Sequence, residues 1–189
     1  MNTADIFAHA TTAGYSAHAT TTGDYAHATT TGGHAHATTT GNDAHATTAG
    51  YSAHATTTGN DAHATTTGDF ARATTTGNDA HALTAGYSAH ALTAGYSAHA
   101  LTAGYSAHAT TTGQRAHASV SGANSIAVAI GYNSYARAAD GGFIVLAQYS
   151  PDGDTVVAVK TAQAGKDGIK PDTWYTLSPT GEFVEVEVE

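Results

Sequence analysis

Residues 50–61 read Gly-Tyr-Ser-Ala-His-Ala-Thr-Thr-Thr-Gly-Asn-Asp, and the nine-residue unit that they contain decides the fold. Glycine returns at every ninth position from Gly14 to Gly131 without an insertion. Histidine keeps the same period from His9 to His117, with Arg72 in its one gap. A short period kept over most of a chain is typical of repeat proteins, whose units bury their apolar sides only against their neighbours. The sequence therefore predicts a stack of units from residue 8 to residue 139.

The residue pattern of each nine-residue unit predicts one strand followed by one turn. Regular glycines and runs of three threonines oppose a helix, by backbone entropy and by restricted rotamers. Alternation within a strand places Ala53, Ala55 and Thr57 on one face and the histidine and threonines between them on the other. The dipeptides after each glycine are typical of corners with unusual backbone angles. We expect an all-β fold, a parallel β-solenoid or β-roll of nonapeptide repeats followed by a small C-terminal β domain.

The small-residue face is expected inside the solenoid. The other face accepts Arg72, whose burial without a partner would be very costly. An alternative leaves the His/Thr face buried along the axis of a trimer, where Leu83, Leu92 and Leu101 would stack. With one strand per rung some fifteen strands would form a rod of roughly 70 Å, and with two repeats per coil a rod half as long.

Charge and composition exclude several partners. The chain carries a formal charge of -9, with no cysteine for a disulfide or a thiolate site. An acidic surface repels nucleic acid and anionic lipid, so neither nucleic-acid binding nor membrane insertion is expected. Residues 1–7 lack the basic start and apolar run of a secretory signal. We therefore expect a virion component released by cell lysis, or another extracellular location.

Residues 122–138, Gly-Ala-Asn-Ser-Ile-Ala-Val-Ala-Ile-Gly-Tyr-Asn-Ser-Tyr-Ala-Arg-Ala, keep the nine-residue phase but replace histidine and threonine by larger apolar residues. This stretch resembles the head repeats of YadA-like trimeric adhesins, which carry a Ser-x-Ala-x-Gly pattern. The resemblance implies a left-handed parallel β-roll and a homotrimer.

The last segment, residues 140–189, predicts a small β unit. Residues 143–149 and 155–160 predict strands joined by the hairpin signal Ser-Pro-Asp-Gly-Asp, and residues 183–189 alternate valine with glutamate. Residues 167–175 resemble the C-terminal units of some phage tail-associated proteins. We expect residues 1–7 to form an attachment arm and residues 140–189 to cap the solenoid, to trimerise it or to contact a surface. Tyr149, Trp174 and Tyr175 are the candidate contact residues.

The repeated histidines predict a solvated ladder that supplies contacts between rungs, and close imidazoles predict sensitivity to acid. Neutral imidazole also suits transition metals. His34 and His36 lie two apart, which predicts one shared strand face, and this His-x-His pair resembles the iron-binding motif of some phage fibre tips. That resemblance implies a site for Fe, Zn or Ni with ligands from three chains. Otherwise no cofactor is required.

The function predicted from these patterns is a structural fibre, spike or adhesin, most plainly a phage virion-associated protein. One end would attach and the other would contact a surface. An ice-binding solenoid is the first alternative, because pairs such as Thr56 and Thr58 resemble antifreeze surfaces. A metal-binding histidine ladder is the second. No enzyme is expected, because a hydrolase needs one unique nucleophile, whereas Ser-Ala-His recurs five times.

Overall fold

A computed structural model describes residues 7–187, which contain only strands and turns. No helix able to cross a membrane is found in this range. The strands are β1 His9–Ala13, β2 His18–Thr22, β3 His27–Thr31, β4 His36–Thr40, β5 His45–Ala49, β6 His54–Thr58, β7 His63–Thr67, β8 Arg72–Thr76, β9 His81–Ala85, β10 His90–Ala94, β11 His99–Ala103, β12 His108–Thr111, β13 His117–Val120, β14 Ile126–Ala129, β15 Tyr135–Ala138, β16 Phe143–Tyr149, β17 Val156–Gln163, β18 Trp174–Leu177 and β19 Phe183–Val186.

Consecutive repeats lie in opposite sheets. The first sheet contains the odd-numbered strands β1 to β15, and the second sheet contains the even-numbered strands β2 to β16. Within each sheet the repeat strands pair in parallel, so that His9 lies beside His27 and His27 beside His45. One coil therefore uses two nonapeptides, and β1 to β16 build about eight coils. The predicted parallel β-solenoid is confirmed, in its two-repeat form.

The core is a thin double layer of small side chains. Ala53, Ala55 and Thr57 are 0%, 1% and 1% exposed, and the equivalent residues of other repeats are buried in the same way. The histidine and outer threonines of each strand are half-buried or exposed. This arrangement confirms that the small-residue face lies inside the coil of each chain. Alanine and threonine are the right size because the two sheets approach closely, and a larger side chain would push them apart.

Glycine makes each corner narrow enough for the coils to stack. Gly59 has a φ of 149°, and a Cβ atom placed on it would overlap the carbonyl oxygen of Gly41 in the preceding coil. The corner backbone also bonds between coils, since Gly59 N donates to Thr76 O at 2.9 Å and Asp61 N to Asn78 O at 2.9 Å. The second residue after each repeat glycine has a φ between 50° and 58°, in the left-handed region that the corner dipeptides predicted.

The alternating sheets change where the leucines lie. Leu83 and Leu101 are Cα partners on the first sheet, whereas Leu92 lies on the second sheet between Thr74 and Thr110. The alternative arrangement, in which all three leucines stack in one column, is therefore wrong on this point. The reason is that neighbouring repeats never share a sheet.

The C-terminal residues extend both sheets with antiparallel strands. β16 still pairs in parallel with β14, one strand beyond the expected end of the shaft at residue 139, and β17 then pairs antiparallel with β16 as the hairpin signal predicted. In the first sheet β18 adds antiparallel to β15, and β19 adds antiparallel to β18. Ile144 and Leu146 are the largest fully buried side chains of the described residues, so the core widens where the repeats end.

Candidate functional site

Two columns of imidazole rings follow the outer faces of the solenoid. Neighbouring rings in a column lie about 4.8 Å apart and nearly parallel over most of its length, which is the spacing of strands in a sheet. Arg72 interrupts the column of the second sheet between His54 and His90. The strands thus form the predicted histidine ladder twice, once on each face.

Burial lowers the pKa of nine imidazoles in these columns. The effect is largest at His117, whose pKa falls to about 4 because the ring is buried and because His99 and His81 lie nearby. In the remaining eight, burial is the first cause of the lowered pKa, and a neighbouring imidazole is the second for all but one. These residues are His27, His36, His45, His54, His63, His81, His90 and His99. The nine rings are therefore neutral at pH 7.

His34 and His36 do not share a strand. β4 begins at His36, while His34 occupies the preceding corner with a φ of 57°, so the expected shared strand face is wrong. The His34 ring instead contacts Tyr15 and Tyr51 edge-on, with centroids 5.2 and 5.9 Å away. Between residues 7 and 187 no three His, Asp or Glu side chains of one chain are arranged to hold a metal ion. A site built from three chains stays a prediction.

The two rows of corners differ in chemistry. Corners that follow odd-numbered strands form an aromatic row, here called the tyrosine edge, in which adjacent rings contact one another. Its members are Tyr15, His34, Tyr51, Phe70, Tyr87 and Tyr105, with centroids 5.2 to 5.9 Å apart. Tyr51, Tyr87 and Tyr105 are 55%, 48% and 50% exposed. The tyrosine edge is therefore a continuous line of partly exposed aromatic rings along one side of the rod.

Corners that follow even-numbered strands form a polar row, here called the aspartate edge. Asn60 N donates to Asn42 Oδ1 at 3.1 Å, and Asn78 N donates to Asn60 Oδ1 at 3.0 Å. Asp43, Asp61 and Asp79 occupy the next position of the same corners. The asparagine ladder satisfies corner N–H groups that would otherwise lack partners, so this edge has a structural role.

The outer threonines form a regular array on the second sheet. β2, β4, β6 and β8 each present two outward threonines, and these pair in register across all four strands. The first sheet lacks such an array, because alanine replaces one threonine of the pair in β1 and β5, and Leu83 with Ala85 replaces both in β9.

The three aromatic residues predicted as contacts have different surroundings. Tyr175 is 2% exposed, and its hydroxyl accepts a hydrogen bond from Lys170 N at 2.9 Å, so it belongs to the core and not to a contact surface. Tyr149 is half-buried and donates its hydroxyl to Ile130 O at 2.7 Å. Trp174 is also half-buried, and it reaches back over the first sheet to His117, with ring centroids 5.4 Å apart.

Trp174 closes one end of a groove on the outer face of the first sheet. The groove has a volume of about 250 Å3, and Arg137, His117, Leu101 and Leu83 line it with Trp174. The guanidinium of Arg137 lies 4.8 Å from the centre of the Trp174 ring. The sequence did not predict this groove, because it joins residues of a repeat strand to a residue of the C-terminal unit.

Repetition argues against the Ser-Ala-His triplets as catalytic groups. Ser52 occupies a corner with a φ of 52° before β6 begins at His54, and Ser88 and Ser106 occupy the same corner position in later coils. Small polar residues suit this backbone conformation, which accounts for their recurrence.

Comparison with protein-family models, with curated proteins and with solved structures gave no significant match. The fold by itself places the chain in the class of all-β parallel solenoids, with two sheets and an antiparallel C-terminal end. The resemblance to YadA-like adhesins and to phage fibres stays a prediction.

Proposed function

We propose that this chain is the structural shaft of a fibre, spike or adhesin, associated with a phage virion or another external surface. The single observation that carries the proposal is the uninterrupted parallel register from β1 to β16, with no insertion between coils. Identical coils of small buried residues make a stiff spacer of constant width, and a solenoid of this kind gains length by adding repeats. In this proposal the repeated residues determine the length and width of the shaft.

The tyrosine edge is the part of the shaft best suited to contact a surface. Exposed aromatic rings supply large apolar area with little loss of side-chain entropy on binding. The aspartate edge differs because its carboxylates and amides are strongly hydrated. We propose that the shaft lies against its target along the tyrosine edge, with the half-buried Tyr149 and Trp174 as a second contact region.

A pair of double variants tests this function. Tyr87 and Tyr105 would be replaced by serine on the tyrosine edge, and Tyr25 and Tyr96 on the aspartate edge as a matched control. Retention of labelled protein on bacterial envelopes and insoluble polysaccharides would be measured by sedimentation. We expect the wild type and the control to be retained and the first variant to be lost. No retention of the wild type, or equal loss in both variants, would contradict the proposal.

The oligomeric state is part of the same proposal. A shaft that serves as a homotrimer should have three times the mass of one chain by multi-angle light scattering. Its parallel region should be short, because eight coils at about 4.8 Å each give roughly 40 Å. A monomer by light scattering would remove the trimer and with it the three-chain metal site, although a monomeric shaft could still act as a spacer.

Ice binding is a second candidate function, favoured by the threonine array of β2, β4, β6 and β8. Four pairs in register form a flat two-column lattice of hydroxyl and methyl groups, and strand pairing holds this lattice rigid. Thermal hysteresis tests it. We expect Thr56→Leu to abolish the activity and Thr47→Leu, at the same position on the first sheet, to leave it unchanged. An absence of hysteresis in the wild type would exclude this function.

A further inference from the structure

The groove under Trp174 combines one cationic group with an apolar floor. Arg137 is half-buried, and its Nε donates to Ser119 Oγ at 3.1 Å. Within residues 7–187 this is the only hydrogen bond of the guanidinium, and the only ion pair is Lys170 with Glu185. The terminal NH groups of Arg137 therefore have no carboxylate partner in the described residues, although a buried or half-buried cation favours one.

The walls of the groove do not supply the missing charge. Its lining contains no aspartate or glutamate among the described residues, and burial lowers the pKa of His117 and His99, so both rings are neutral at pH 7. The corner residues beside the first sheet also change along the rod. Asp43, Asp61 and Asp79 are followed by Ser97 and Arg115 at the equivalent positions. The Arg137 end of the groove is therefore less acidic than its Leu83 end, where Asp61 and Asp79 lie near His81.

An apolar track leads away from Arg137 along the sheet. Arg137 pairs with Ser119, Ser119 with Leu101, and Leu101 with Leu83 on successive strands of the first sheet. Leu83 and Leu101 are 39% and 38% exposed, and their pairing on neighbouring strands forms a continuous apolar surface beside the imidazole column. Three strand spacings, about 14 Å, separate Arg137 from Leu83.

We propose that this groove binds a medium-chain alkyl carboxylate. The carboxylate pairs with the free edge of the Arg137 guanidinium, whose planar fork matches two oxygens. The alkyl chain lies over Leu101 and Leu83 beside the imidazole column, where each methylene removed from water adds to affinity. The groove shares Trp174 with the second contact region of the shaft, but alkyl carboxylate binding depends on the groove alone and not on the shaft function.

Trp174 provides the measurement, because it is the only tryptophan of the chain and its ring lies over Arg137. Decanoate would be titrated below its micellar concentration while Trp174 emission is followed. We expect a saturable change in emission. Decanol, which lacks the charge, and acetate, which lacks the chain, should each bind at least about tenfold more weakly, because a charge-assisted pair and the alkyl contacts are both needed. Equal binding of decanol, or no saturable change with decanoate, would overturn the proposal.

Two variants and one control locate the site. Arg137→Gln should weaken decanoate binding about tenfold. Leu101→Thr should weaken it several-fold, and it is compatible with the fold because threonine occupies this position in most repeats. Leu92→Thr makes the same change on the opposite sheet and should leave binding unchanged. Circular dichroism checks that each variant folds, and Leu101→Thr decides the matter if Arg137→Gln does not fold. Equal effects of Leu101→Thr and Leu92→Thr would show binding outside the groove.

Discussion

Glycine is required at the corners because the preceding coil lies directly against its α-carbon. Gly14 and Gly32 both have a φ of 134°, which a residue with a Cβ adopts only with strain. They differ in their surroundings. A Cβ on Gly32 would overlap the carbonyl group of Gly14, whereas a Cβ on Gly14 would meet nothing within 4 Å. The two positions therefore separate backbone strain from steric overlap.

We expect Gly32→Ala to destabilise the protein more than Gly14→Ala, by about 1–3 kcal/mol, since overpacking adds to the strain that both share. Urea unfolding followed by circular dichroism measures the difference. Hydrogen exchange of the first two coils shows whether the damage stays local. Equal losses in the two variants would mean that stacking of the coils does not limit this position.

The buried threonines have hydroxyl groups without partners. Thr57 is 1% exposed, and its Oγ1 has no hydrogen-bond partner among the described residues, as is true of the equivalent threonine from Thr12 to Thr111. Val120 occupies the same core position in β13, beside Thr102. The β-branched shape is thus what the core uses, while the hydroxyl carries a desolvation cost.

Thr57→Val should raise the free energy of unfolding by about 1 kcal/mol, because it keeps the shape and removes an unpaired polar atom. Thr56→Val, on the outer face of the same strand, serves as the control and should change stability little. Thermal unfolding of both variants beside the wild type gives the answer. A lower melting temperature for Thr57→Val would show that the core hydroxyls form bonds that stabilise the fold.

On the outer face of each strand, the neighbours of a side chain come from the adjacent strand of the same sheet and not from the next repeat in the sequence. An outward side chain lies beside the residue eighteen positions away, as the Cα pair His45 and His63 shows, whereas the residue nine positions away lies on the opposite sheet. Imidazole stacking, asparagine ladders and the threonine array all follow from this spacing. Arg72 therefore interrupts one histidine column and leaves the other column intact.

Acid should destabilise the solenoid. The folded state lowers the pKa of nine imidazoles, so it binds fewer protons than the unfolded chain below the ordinary histidine value of 6.5. Stability is therefore complete above that value and falls as the pH decreases, down to about 4 for His117. Asp61 and Asp79 oppose the effect at His63 and His81 but do not cancel it.

The melting temperature should stay nearly constant from pH 7.5 to about pH 6.5 and then decrease down to pH 5.5, a range in which carboxylates stay ionised. We expect a total decrease of about 5 °C or more. His81→Thr removes one ring from the centre of a column and should make the decrease smaller. A melting temperature independent of pH over this range would contradict close packing of the imidazoles.

In the whole molecule, the C-terminal strands end the parallel ladders but leave one apolar edge. β17 is the outermost strand of the second sheet, and Val156, Val157 and Val159 are 50%, 60% and 57% exposed on it. Edge strands with exposed valines favour association with another chain. This edge is therefore a place where copies of the chain could join into the proposed trimer.

Val157→Lys should lower the apparent mass in light scattering, because it places a charge in the centre of the exposed valines. Thr155→Lys adds the same charge just before the strand and should leave the mass unchanged. Both variants keep the repeat region intact, so circular dichroism should remain that of the wild type. An unchanged mass for Val157→Lys would mean that the chains associate elsewhere or not at all.

The sequence by itself determined the repeat, the strand, the corner and the buried face. These features are local, because alternation within Ala53–Thr58 and the need for glycine at a tight corner act over a few residues. The pairing of alternate repeats also left a signal, since Asn42, Asn60 and Asn78 recur every eighteen residues. That second period distinguishes the two faces of the coil.

Only the tertiary structure decided which side chains meet across repeats and across domains. It separated Leu92 from Leu83 and Leu101, buried Tyr175, moved His34 away from the strand of His36, and placed Trp174 over Arg137. The physical reason is that these contacts depend on how the chain turns between sheets and how the C-terminal strands fold back. A nine-residue pattern contains no information on either, because every repeat obeys the same local rules whichever sheet it joins.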